Sequence, residues 1–229
     1  MRYSQLLDIV GPEPLFETSL LVAGNVSAYQ SQRRLTDWSK AGKVMPLRRG
    51  LYALPKAVRA VEPHPFVIAN RLVAGSYVSL EMALGYYSLI PEHVAVITNV
   101  TTGRPSKWKN EFGRFFYRHL HPRYFFGMEY RHISALPSFA YHKQRLPLGI
   151  KNQYAYIAYP EKALLDFIYL RPGGDSPDFI ESLRLQHLEQ LDLDRLQQFA
   201  TRFNKPKLRR AAAIIRQLAE MEAAEYEIL

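Results

Sequence analysis

Apolar positions recur every three to four residues through the first forty or so residues, and that spacing predicts three short helices. Met1–Asp8 forms the first, with Tyr3, Leu6, Leu7 and Val10 on its buried side, and Gly11-Pro12-Glu13-Pro14 breaks it. Leu15–Val22 is expected as the second, offering Leu15, Phe16, Leu20 and Leu21 for packing. Ala23-Gly24-Asn25 makes the turn, with Asn25 or Ser27 as N-cap of a third helix running to Ala41. Along that helix Ala28, Ser31, Leu35 and Trp38 fall on one inner stripe. Tyr29, Gln30, Arg33 and Lys40 project outward with Arg34 on the flank. The period then switches to strands at Val44–Leu47 and Leu51–Leu54, joined through Arg48-Arg49-Gly50.

After a linker over Val58–Pro65, containing Pro63 and Pro65, the pattern becomes mixed. It predicts helices at Phe66–Val73 and from Leu80 to Ser88, the latter capped by Ser79, with a brief strand at Tyr77-Val78 between them. Further strands are expected at His93–Val100, at Phe112–Leu120 after a basic loop, at Ala140–Lys143 and at Tyr154–Ala158. Pro160 opens a helix that continues to Leu170 and ends at Arg171-Pro172-Gly173-Gly174. From Pro177 the chain reads as helical, with breaks near Leu191-Asp192 and Asn204-Lys205-Pro206.

Together these elements define an α+β protein. An N-terminal winged helix-turn-helix over residues 1–60 precedes a mixed α/β domain with a helical C-terminal extension over residues 61–229, its core at 66–170 and the extension at 177–229. In the winged arrangement the third helix enters a major groove with its outer face while the hairpin lies beside it. Arg and Gln are the side chains that pair with guanine and adenine edges, which singles out Arg33 and Gln30. Ser27, Tyr29, Arg34 and Lys40 complete the helix face, and Arg48 and Arg49 at the hairpin tip suit phosphate or the minor groove. Asp37 also faces outward, where it repels phosphate unless Arg33, one turn earlier, pairs with it.

Charge supports a nucleic-acid partner through its placement more than through its total. The 229-residue chain carries a formal net charge of +9. Residues 1–60 hold nine Lys or Arg against four acids, residues 103–123 six against one, and residues 205–216 five against none. The second block interleaves Arg104, Lys107, Lys109, Arg114 and Arg118 with Trp108, Phe115, Phe116 and Tyr117, and the third contains Lys205, Lys207, Arg209 and Arg210. Both are expected as a second face for DNA or a partner. In the third, cations at a helix N-terminus oppose the dipole, and a counter-anion relieves that. The absence of cysteine excludes a disulfide framework and fits a reducing, cytoplasmic setting. No run approaches the roughly 18 apolar residues of a membrane span, so no membrane partner is expected.

Three stretches resemble the AbiEi family, the antitoxin half of a bacterial type IV toxin–antitoxin and phage abortive-infection system. They are Leu47-Arg48-Arg49-Gly50-Leu51-Tyr52-Ala53-Leu54; Ser76-Tyr77-Val78-Ser79-Leu80-Glu81-Met82-Ala83-Leu84 with Leu89-Ile90-Pro91-Glu92; and Ala158-Tyr159-Pro160-Glu161-Lys162-Ala163-Leu164-Leu165-Asp166. Met82 departs from the small residue, such as serine, expected there. The resemblance implies a repressor that binds inverted repeats of double-stranded DNA in its own promoter through the winged helix. It also implies a second domain that opposes a nucleotidyltransferase toxin encoded next door, without requiring a stable complex with it.

Chemistry of its own is not expected, and neither is a cofactor or metal. A restriction-type nuclease needs an acid and a Glu-x-Lys pair gathered on adjacent strands. Glu161-Lys162 lacks the spacer and stands at a helix start, where the dipole accounts for Glu161 and a surface or salt-bridge role for Asp166. His119-Leu120-His121 has no nearby cysteine or close carboxylate pair to complete a metal site, and no phosphate-binding glycine loop occurs. The alternatives are a stand-alone regulator whose second domain binds a ligand or protein, and, more remotely, a DNA-binding nuclease.

Overall fold

A computed structural model describes residues 1–22, 27–133 and 153–227. The chain is of mixed α and β structure. Its N-terminal part runs α1 (Tyr3–Val10), β1 (Leu15–Glu17), α2 (Thr18–Val22), α3 (Ala28–Lys40), β2 (Met45–Arg48) and β3 (Leu51–Ala53). The expectation of one helix over Leu15–Val22 is corrected: Leu15–Glu17 is extended and pairs antiparallel with β3, Leu15 opposite Ala53 and Glu17 opposite Leu51. A helix there would turn Phe16 and Leu15 to neighbouring flanks. As a strand, the pair divides between opposite faces of the three-stranded sheet β1-β3-β2. Phe16, Tyr52 and Leu54 pack with Leu6, Leu21, Leu35 and Trp38 beneath the helices. Leu15, Leu47, Leu51 and Ala53 join the larger core of the rest of the chain. The small sheet is therefore a wall shared by two cores. Ser31, Leu35 and Trp38 are buried as the helical period requires.

Beyond it come α4 (Pro65–Leu72), β4 (Ser76–Val78), α5 (Leu80–Tyr86), β5 (Ile97–Thr101), β6 (Ser106–Asn110), β7 (Gly113–His119), β8 (Met128–His132), β9 (Tyr154–Ala158) and α6 (Pro160–Leu170). The strands form one mixed sheet in the order β6-β7-β5-β4-β9-β8. The segment expected as a basic loop is the strand β6, whose Lys107 and Lys109 alternate with half-buried Ser106, Trp108 and Asn110. Two exposed lysines within five residues mask that alternation. The strand expected from His93 begins only at Ile97, and β8 was not anticipated because its half-polar Met-Glu-Tyr-Arg-His lacks a β-branched run. The strand expected at Ala140–Lys143 lies outside the described residues, as does the turn at Gly24 and Asn25.

Register assigns the layers. Tyr77 pairs with Val100 and Val100 with Arg118, so these three share a face, while Tyr117 lies on the other. The Tyr77 hydroxyl bonds Asp166 of α6, and the Tyr117 hydroxyl donates to the Ala69 carbonyl of α4. Helices α6 and α4 thus cover opposite faces. Three more helices, α7 (Pro177–Ser182), α8 (Leu193–Phe203) and α9 (Pro206–Glu227), complete the α6 side, α8 and α9 packing on each other and on α6. Met82, despite its size, is accommodated at 3% exposure. Among the described residues no helix is long and apolar enough to cross a membrane.

Candidate nucleic-acid interface

Helix α3 presents a polar face. Tyr29 is 74% exposed, and Gln30, Arg33, Arg34, Asp37 and Lys40 are all exposed with it. Gln30, Arg33, Arg34 and Asp37 border a shallow polar cleft beside Met1. The Arg33–Asp37 pairing does not form: among the described residues neither takes part in an ion pair. Ser27, exposed, holds the N-cap position without a side-chain capping bond.

At the hairpin tip the two arginines part company. Arg49 is exposed. Arg48, expected on DNA, is spent inside the protein: its Nε and Nη2 donate to the Arg71 carbonyl at 3.2 and 3.1 Å. Nη1 donates to the Arg49 carbonyl at 2.9 Å, and Nη2 lies 3.4 Å from Glu17. It braces the hairpin against the end of α4. The closing carbonyls of α4 need such donors, since no later turn of helix supplies them.

The second basic block lies on the α6 face of β6 and β7. Lys109 pairs with Arg114 and Lys107 with Phe116, so Lys107, Lys109, Arg114, Phe116 and Arg118 are neighbours. The four cations are exposed, and among the described residues none is ion-paired. Lys107 Nζ stands 4.9 Å from the centre of the Phe116 ring. Phe115 and Tyr117 are buried on the opposite face as core. Arg104 is exposed in the turn before β6.

Much of the third block is consumed in packing. Arg210 bonds Asp175 at 2.6 and 2.9 Å, Arg209 bonds Asn204 at 2.8 Å, and Lys207 donates to the Arg171 carbonyl. Arg210 is matched inside the protein by Asp175, whose carboxyl it holds below its ordinary pKa, where phosphate or an acidic partner was the expected counter-anion. Lys205 is exposed.

The acidic and basic residues of the most distinctive motifs meet in the interior. Lys162 and Asp166, one helical turn apart in α6, form a fully buried ion pair. Tyr77 donates to Asp166 at 2.8 Å and Ser79 at 2.9 Å, while Lys162 also donates to the Tyr77 hydroxyl at 2.9 Å. The Lys162 ammonium sits 4.9–5.4 Å from the ring centres of Phe203, Phe126 and Tyr77. Burial pulls the lysine below its ordinary pKa and pushes the aspartate above its own, each opposed by the other's charge. Ser79 was expected to cap α5, and its hydroxyl is instead given to Asp166. Glu161 is equally buried: it accepts from Arg195 at 2.8 and 3.1 Å and from the Asp192 N–H at 2.8 Å. Glu161 stands in the first turn of α6 as the dipole reading expects, and is tied to α8 in addition. For Asp166 the salt-bridge role holds and the surface role does not, because the carboxylate is buried against Lys162. His119 bonds the Gly103 carbonyl, and His121 accepts from the Arg123 N–H.

Sequence reading missed Arg171, Phe167 and Phe179. Together with Phe116 they border a cavity of about 520 Å³ between β7, α6 and α7. The available signal was the four-residue spacing of Phe167 and Arg171, which brings both to one side of the end of α6. No protein-family profile matches the chain, and neither does any curated protein.

Proposed function

We propose that the chain is a DNA-binding antitoxin of the AbiEi kind, which represses its own promoter and counteracts a nucleotidyltransferase toxin. The observation that carries the reading is the outer face of α3. Gln30, Arg33, Arg34 and Lys40 are exposed there with no intramolecular ion pair among the described residues, beside a hairpin ending in exposed Arg49. Helix, strand, two helices and a hairpin is the element order of a winged helix-turn-helix. The antitoxin part is supported by the second and third motifs: their polar residues Tyr77, Ser79, Lys162 and Asp166 make one buried network, so the two stretches act as a unit.

The inverted repeat upstream of the gene, used in a mobility-shift titration, tests the DNA-binding half. Arg33→Ala is expected to weaken specific binding by roughly 1–3 kcal/mol, about 5- to 150-fold, if Arg33 reads a guanine. Wild-type affinity should fall steeply with salt, and an unchanged titration for the variant at matched salt rejects the assignment. Co-expression of the full chain with the neighbouring gene product tests the other half, since rescue of growth is required. The full chain is needed because Leu15, Leu47, Leu51 and Ala53 complete the larger core.

A second reading, a regulator answering to a ligand, is favoured by a cavity of about 430 Å³ bordered by Arg71, Phe125, Tyr130, Tyr154 and Tyr156. Arg71 is also the residue whose carbonyl holds Arg48 of the hairpin. Under this reading the neighbouring gene product is not toxic, and promoter binding is otherwise the same.

A further inference from the structure

Helices α5 and α6 cover the middle of the large sheet but stop short of its β6–β7 end. What emerges past them is the cationic row described above, and it runs into a groove. Phe116 is the link: it stands among Lys107, Lys109, Arg114 and Arg118 on the open face, and it also lines the cavity of about 520 Å³. Arg118 and Arg171 border the adjoining stretch of about 250 Å³, which shares Phe116 and Phe167. Deeper in, the Arg171 guanidinium lies 4.8 Å from the ring centre of Phe179. Basic side chains follow the strand, and aromatic rings open at its side.

We infer that this groove binds single-stranded nucleic acid, with the backbone phosphates along Lys107, Lys109, Arg114 and Arg118 and unpaired bases against Phe116 and Phe167. The cations alone suit any polyanion, and the rings decide between strands. In a duplex the bases are stacked on each other and cannot enter a pocket between β7 and α6, whereas a single strand offers every base's flat face. Of the two carboxylates bordering the cavity, Glu92 is tied to Arg184 at 2.5 Å. Glu81, half-buried and without an ion pair among the described residues, accepts from a base's exocyclic amino group. The inference is independent of the α3 face, which lies on another element.

The test is an anisotropy titration of the full chain into a labelled mixed-sequence strand of about 15 nucleotides, as DNA and as RNA, with a duplex of the same length as competitor. Saturable, salt-dependent binding is expected, with the duplex a weak competitor. Arg114→Ala with Arg118→Ala, both at exposed positions, should weaken binding at least tenfold. Phe116→Leu, which keeps apolar volume and removes the ring, should weaken it about tenfold, and Phe116→Tyr should not. Arg33→Ala should leave single-strand binding unchanged, which separates this site from promoter recognition. Photocrosslinking of the wild-type protein to a 5-bromouracil strand should label peptides containing Phe116 or Phe167, and this arm requires no variant to fold. The inference is overturned if affinity is weaker than about 10⁻⁴ M at physiological salt. Equal competition by the duplex, indifference to Phe116→Leu, or crosslinks confined to α3 would each overturn it as well.

Discussion

Lys162→Met is expected to destabilise the protein by about 3–5 kcal/mol, because it leaves Asp166 as a charge in the core without its counter-ion. Methionine keeps the length of the side chain and its contacts with Phe126 and Phe203, so the loss is electrostatic rather than a cavity. In a chain of this size that corresponds to a fall in Tm of roughly 6–20 °C. The companion change Asp166→Leu, made on top of Lys162→Met, should recover much of the loss. A buried ion pair replaced as a whole by apolar groups is often neutral, whereas half a pair is not. Thermal and urea denaturation of the single and double variants measure this coupling. A single variant as stable as wild type would mean that the pair is neutral or that water reaches it.

Acid should weaken the fold through His64. Its side chain is fully buried at the start of α4, where Nδ1 accepts from the Phe66 N–H and Nε2 has no partner among the described residues. Burial lowers its pKa from 6.5 to about 3. The unfolded chain therefore takes up a proton below about pH 6.5, while the folded protein does not until about pH 3. Stability is unaffected by this group above pH 6.5 and is lost progressively between those values. The loss is about 2 kcal/mol by pH 5 and about 3 kcal/mol by pH 4. His64→Asn keeps a capping acceptor for α4 and removes the titration. Its stability should be flatter across the same interval, whatever its value at neutral pH. Equal pH slopes for both proteins would exclude His64 as the source.

Much of the fold was legible because the periods were strong. The inner stripe of α3, the opening of α6 at Pro160 and the hairpin around Gly50 follow from spacing and turn chemistry alone. Leu15–Glu17 was not, since three residues are too few to show a period of two, and their strand pairs with a partner some 35 residues away. The α3 face was legible for the same reason as its stripe: exposure is what remains when the apolar residues turn inward. The fates of Arg48, Arg210 and Glu161 were not. Each depends on a carbonyl or counter-charge supplied by a distant segment, Arg71, Asp175 and Arg195 respectively. A charged residue's sequence neighbours do not reveal whether tertiary contacts consume it. The groove at Phe116 escaped for a related reason, as its walls come from segments far apart in the chain, among them α5, residues 90–98, β7, α6 and α7.

The shared wall formed by the small sheet has a consequence for modularity. Many DNA-reading heads behave as cassettes that tolerate excision and grafting. Here the head is cut from the same cloth as its support: severed after residue 60, it would bare Leu15, Leu47, Leu51 and Ala53 as one apolar face. Such a fragment should self-associate rather than persist as a monomer, and the intact chain should melt in a single transition in which neither half survives the other.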